Sequence, residues 1–82
     1  MTEYFRAEWR NRGSIIKRYS QGPFHDTYDE ANNFAVGMMN NWKTPEVEFR
    51  ISHTKIELAG NKRTTTETYY ELENPYVNIP SS

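Results

Sequence analysis

GPFHDTYDEANNFAVGMMNNW, residues 22–42, sets a histidine among three acids and follows them with amides, methionines and rings. Two readings compete for His25, Asp26, Asp29 and Glu30: a metal or catalytic cluster, or the start of a helix. The second accounts for every acid. Thr27 precedes Glu30 by three residues, the spacing of a capping box. Asp29 and Glu30 fall in the first turn, where carboxylates oppose the helix dipole favourably. Behind them Ala31, Phe34, Ala35, Met38 and Trp42 recur at helical spacing, with Tyr28 flanking. Thr44-Pro45 ends the pattern. The stretch is therefore expected to be a helix. A metal would need more than the one local histidine and acids not already used in the cap.

The segments on either side read as strands. In EYFRAEWR (3–10), Phe5, Ala7 and Trp9 alternate with Tyr4, Arg6, Glu8 and Arg10, so one side is dry and one is wet. NRG (11–13) reads as a three-residue turn with a glycine bulge, and SIIKRYS (14–20) as the returning strand. That register sets Trp9 against Ile15, Phe5 against Tyr19 and Arg6 against Arg18. In EVEFRIS (46–52), Val47, Phe49 and Ile51 point inward. Ile56 and Leu58 then fall out of phase, which predicts a bulge near His53-Thr54 or a break into two strands. AGNKR is a turn, and TTTETYYELE a last strand with Thr68, Tyr70 and Leu72 on one side.

The expected order is β-β-α-β-β: an α+β, two-layer domain over 1–73 with one helix packed on one face of an antiparallel sheet. Residues 74–82, with two prolines, read as an extended C-terminal tail that Val77 and Ile79 pin to the body. Eighty-two residues make one small domain, and no cysteine is present to staple it. Leu, Ile, Val and Phe are sparse, so the core is expected to rest on the twelve aromatic rings, with Trp9 and Trp42 largely buried.

The net charge is -1. Residues 1–25 carry five cations against Glu3 and Glu8, residues 26–49 five acids against Lys43, and residues 50–82 sum to zero. No apolar run reaches the roughly 20 residues that cross a bilayer, and MTEYFRAEWR lacks the apolar stretch of a signal peptide. A cytoplasmic protein without membrane contact is expected.

No G-x-S-x-G, phosphate-binding glycine loop or H-E-x-x-H occurs. A non-enzymatic protein without cofactor or metal is expected, with catalysis by His25 or His53 as the minor reading. Two surfaces stand out instead. The outer face of the first hairpin gathers Tyr4, Arg6, Arg10 and Arg18, with Arg12 at the tip, and arginine forks suit phosphate or carboxylate. Asn33, Gly37 and Asn40 line the outer helix face, where a mid-helix glycine costs about 1 kcal/mol relative to alanine. Such a flat strip admits a protein partner or a second copy, making a homodimer. These eight residues are the expected partner- or anion-binding positions.

The small size, the absence of cysteine, the abundance of Asn, Tyr and Thr, and the lone helix on a short sheet resemble bacteriophage accessory proteins that inhibit host enzymes or defence systems. The resemblance is one of style and transfers no residue roles. It implies a binding protein that acts by occupying a partner's surface. The alternative is a nucleic-acid-binding module using the basic, aromatic hairpin.

Overall fold

The computed structural model describes residues 2–13, 15 and 18–75. Its elements run β1 (Thr2–Asn11), β2 (Ser20–Gln21), α1 (Tyr28–Trp42), β3 (Val47–Ala59) and β4 (Lys62–Leu72). The strands form one antiparallel sheet in the order β2-β1-β3-β4, and α1 packs on one face. The α+β two-layer reading holds.

The helix begins where the cap predicts. Thr27 is extended, and its hydroxyl oxygen accepts from the Glu30 N–H at 3.2 Å. At the other end Lys43 turns left-handed, and its N–H reaches the Met39 carbonyl at 2.8 Å. Pro45 then keeps the chain from resuming the helix. The face turned to the sheet is Ala31, Ala35 and Met39, a stripe of i, i+4, i+8. Two alanines on that stripe let the helix lie close over Phe5, Ala7, Phe49 and Ile51, which complete the buried core. Trp9, Tyr28, Phe34, Met38, Val47 and Leu72 pack around its margin.

Trp42 departs from expectation: it is 45% exposed, resting an edge on Trp9 and tilted against Phe49 at the helix end. The helix is rolled so that Met39, not Trp42, occupies the last inward turn.

The first hairpin also departs. β2 is only two residues long, and it pairs Trp9 with Ser20 and Glu8 with Gln21. Phe5 faces His25, with backbone N–H to O distances of 2.9 and 2.8 Å in the two directions. Neither Trp9 against Ile15, Phe5 against Tyr19 nor Arg6 against Arg18 is formed. The outer edge of β1 is occupied by 20–25, and Ile15 is 95% exposed. Ser14, Ile16 and Lys17 of the expected second strand, and Val77 and Ile79 of the expected tail, lie outside the described residues. Asn74, at the head of that tail, is buried and donates to the carbonyls of Thr44 and Val47.

β3 is one continuous strand. Its register with β1 runs unbroken from Asn11↔Val47 to Thr2↔Ile56, and with β4 from Phe49↔Leu72 to Ala59↔Lys62. No bulge interrupts it. His53, not a hydrophobe, keeps the inward phase, stacked on the Phe5 ring at 4.2 Å. Ile56 and Leu58 accordingly face the other side. β1 ends its pairing at Ile56, so the β3–β4 hairpin continues past it as a bare arm, and the molecule measures 60 × 28 × 17 Å. Gly60, at φ +63, starts the two-residue turn at the arm's tip, the position where a type II′ turn calls for glycine.

Candidate binding site on the open sheet face

Strand alternation sends Tyr4, Arg6, Glu8 and Arg10 of β1 to the face that α1 does not cover. The register places Glu48, Arg50, Ser52 and Thr54 of β3 beside them, and Glu67, Tyr69 and Glu71 of β4 beyond. A depression of about 430 Å³ opens on this face; Tyr4, Arg6, Glu8, Arg18, Tyr19, Arg50 and Tyr69 are among the residues that line it.

Glu8 sits at its floor. It is 3% exposed although no helix lies above it. Arg50 Nε donates to its Oε1 at 2.8 Å and Gln21 Nε2 to its Oε2 at 3.0 Å, so both carboxylate oxygens are satisfied. Arg50 is itself sandwiched: its guanidinium lies 3.7 Å from the Tyr19 ring centre and 4.0 Å from that of Tyr69. Arg10 stacks on Tyr19 at 4.5 Å. The result is a ladder, Arg10–Tyr19–Arg50–Tyr69, in which each ring meets a cation through its electron-rich face.

Glu48 anchors the ladder's outer end. Arg10 Nε donates to it in a short hydrogen bond, Tyr19 Oη donates at 3.3 Å, and Arg12 lies 3.8 Å away. The Arg10 hydrogen bond holds the Glu48 carboxyl below its ordinary pKa and raises that of Arg10. Burial, followed by the Glu48 charge, pushes the Tyr19 phenol up. Tyr69 donates to Glu67 at 2.8 Å, and that hydrogen bond raises its phenol likewise.

A second cluster lies across the depression. The Arg6 guanidinium covers the Phe24 ring at 4.3 Å, and Phe24 meets Tyr4 edge-on at 4.8 Å. Arg6 Nε donates to the Gly22 carbonyl at 2.9 Å, which fixes the plane of the fork. Among the described residues no carboxylate comes within ion-pair distance of Arg6 or of Arg18. Of the arginines that line the depression, these two are the ones that no described carboxylate neutralises.

The eight expected positions therefore separate. Tyr4, Arg6 and Arg18 line the depression; Arg10 and Arg12 stand beside it around Glu48. Asn33, Gly37 and Asn40 are exposed on the opposite surface, across the helix. Sequence reading missed Glu8, Tyr19, Gln21, Arg50, Ser52, Thr54, Glu67 and Tyr69. The available signal was parity: once β3 is read as unbroken, its even-numbered residues share the face of Arg6. Tyr19 carried no such signal, because its side is set by the Trp9↔Ser20 register, whereas the turn read at 11–13 pairs Trp9 with Ile15 and turns Tyr19 inward.

Both histidines lie on the helix side, flanking Phe5. Their Nε2 atoms are buried and find no hydrogen-bond partner among the described residues, the His53 Nε2 standing 3.5 Å from Glu3 Oε1. Among the described residues no three His, Cys, Asp or Glu side chains are grouped to hold a metal. No described helix is long and apolar enough to cross a membrane. Comparison with protein-family models, with curated proteins and with solved structures returns no match, so geometry alone carries the functional argument.

Proposed function

We propose that this chain is a non-enzymatic, cytoplasmic binding protein whose open sheet face receives acidic side chains of a protein partner and acts by occupying that partner's surface. The observation that carries this is the pair Arg6 and Arg18, two guanidiniums that line a preformed depression with no described carboxylate within ion-pair distance of either. The Arg6 fork is held in advance by Phe24 and the Gly22 carbonyl, so little rotamer freedom is lost when a carboxylate docks. Tyrosine and arginine around a recess are the residue types that dominate protein-binding hot spots.

The chemistry of the face favours binding over turnover. Both oxygens of Glu8 are engaged, Glu67 accepts from Tyr69, and the imidazoles stand on the other side of the sheet. A base held against Ser52 or Thr54, as nucleophilic catalysis requires, has no candidate among the described residues.

A second reading rests on the rings. Aromatic residues on an open antiparallel sheet beside arginines form a platform for single-stranded nucleic acid. Here Tyr19, Tyr69 and Phe24 already hold guanidiniums on their faces. Glu8, Glu48, Glu67 and Glu71 also interleave with the arginines, and that mixture repels a polyanion while it matches a mixed-charge protein surface. A pull-down from the source cell, with and without nuclease, separates the two. The wild type is expected to retain a nuclease-resistant protein that the Arg6→Glu/Arg18→Glu variant loses. Recovery of nucleic acid alone, abolished by nuclease, decides for the second reading.

A further inference from the structure

The two edges of the sheet are finished differently. Along β1 the backbone groups of Phe5 and Ala7 are taken by His25 and Gly22. Along β4 no strand or loop among the described residues pairs, and every side chain from Lys62 through Glu71 is exposed. β4 is eleven residues long, straight in register with β3, and free of proline and bulge. Such an edge is a template for another strand.

Its sequence says which strand. Ala59 and Lys62 close the hairpin as a hydrogen-bonded pair across the Gly60-Asn61 loop. Hydrogen-bonded and non-bonded pairs alternate from there. Arg63, Thr65, Glu67, Tyr69 and Glu71 therefore turn their backbone N–H and C=O groups outward. The strand begins with Lys62-Arg63 and ends on Glu71-Leu72, with Glu73 directly after it. Laid antiparallel against a second copy, its basic end meets an acidic end at both extremities; laid parallel, like charges meet.

We propose that the chain pairs with a second copy of itself through β4, antiparallel, about a two-fold axis at Thr68. That register sets Arg63 opposite Glu73, Thr65 opposite Glu71 and Glu67 opposite Tyr69, each twice. Tyr69 is already a donor to a Glu67 carboxylate within one chain at 2.8 Å. An axis at Glu67 would bring two carboxylates face to face, which destabilises a strand pair. An axis at Thr66 would leave Glu71 and Glu73 without a cation. The dimer is one eight-stranded sheet with both helices on one side and both open faces on the other. Its two depressions then address the same partner surface, and the second docking event becomes intramolecular.

Sedimentation equilibrium of the full chain from micromolar to millimolar concentration tests this. The wild type is expected to approach twice the chain mass. Thr65→Pro removes one outward N–H and leaves the bonds to β3 intact, which an edge strand tolerates. With an unchanged far-ultraviolet circular dichroism spectrum, it should weaken association by roughly tenfold or more. Arg63→Glu should also weaken it, and adding Glu73→Arg should restore it. A wild type that stays monomeric throughout, a folded Thr65→Pro chain that associates like the wild type, or a charge-swapped chain no tighter than Arg63→Glu would each overturn the proposal.

Discussion

Glu8 and Arg50 stand directly opposite each other on β1 and β3, joined by a 2.8 Å hydrogen bond on the side of the sheet that bears no helix. The face lacks a hydrophobic layer, and it is ordered instead by guanidiniums clamped between rings. Glu8 is the floor of that arrangement. Glu8→Ala leaves Arg50 and Gln21 without their shared acceptor and should cost about 2 kcal/mol, a value below that of a fully buried pair because Arg50 still reaches water. Glu71→Ala, exposed on the same face, should change stability by less than about 0.5 kcal/mol. Urea unfolding of both variants checks the difference.

Three glycines should respond differently to alanine. A Cβ at Gly22 would lie 3.1 Å from Phe34, 3.2 Å from the Ala7 carbonyl and 3.3 Å from Trp9. Gly22→Ala forces the edge segment 20–25 away from β1 and should cost about 1–3 kcal/mol. Gly60→Ala strains a left-handed turn and should cost about 1–2 kcal/mol. At Gly37 nothing lies within 4 Å, and alanine should stabilise the chain by up to about 1 kcal/mol. Thermal unfolding of the three should rank them in that order, and Gly37→Ala further tests the outer helix face: any association made there should weaken.

The depressed Glu48 carboxyl makes stability pH-dependent in a known direction. Its folded pKa is below the unfolded one, chiefly through the Arg10 hydrogen bond. The stabilisation is therefore complete above the ordinary glutamate range and is lost as pH falls through the folded value. Glu48→Gln should be less stable than the wild type at neutral pH, and the gap should close in acid. Denaturant titrations across that range measure it.

Tyr69 and Tyr19 should ionise late. The Glu67 hydrogen bond raises Tyr69, and burial raises Tyr19. In an alkaline absorbance titration, two of the six tyrosines should lag the ordinary range near 10. Glu67→Gln should return one of them. The sign follows the same linkage: stability from these phenols is present below pH 10 or so and is lost as pH rises through the raised values.

Much of the fold was legible because local chemistry and tertiary packing agree. The Thr27–Glu30 cap, the Tyr4–Arg10 alternation and the placing of Thr68, Tyr70 and Leu72 on one side of β4 are satisfied by near neighbours. The misreadings share a cause. Ile15 and Leu58 look like core by composition, yet Ile15 precedes the stretch that covers β1, and Leu58 sits on an arm that runs past β1 and α1. His53 broke the apparent phase of β3 because a polar residue occupies a half-buried inward position stacked on Phe5. The site was half legible for the same reason. Arg6 and Tyr4 declare their face by alternation, whereas the side taken by Tyr19 and Gln21 depends on the register of β2 against β1, which a long loop hides.

The most direct measurement of the central claim is a nuclear magnetic resonance titration that follows the arginine Nε–Hε signals. A glutamate-rich peptide at physiological salt should shift Arg6 and Arg18 first, with smaller changes at Arg50, and leave the outer helix face unmoved. A single-stranded oligonucleotide at the same salt should produce little change, because the interleaved carboxylates oppose it. Saturating, steeply salt-dependent shifts with the oligonucleotide, together with silence toward the peptide, would contradict the account.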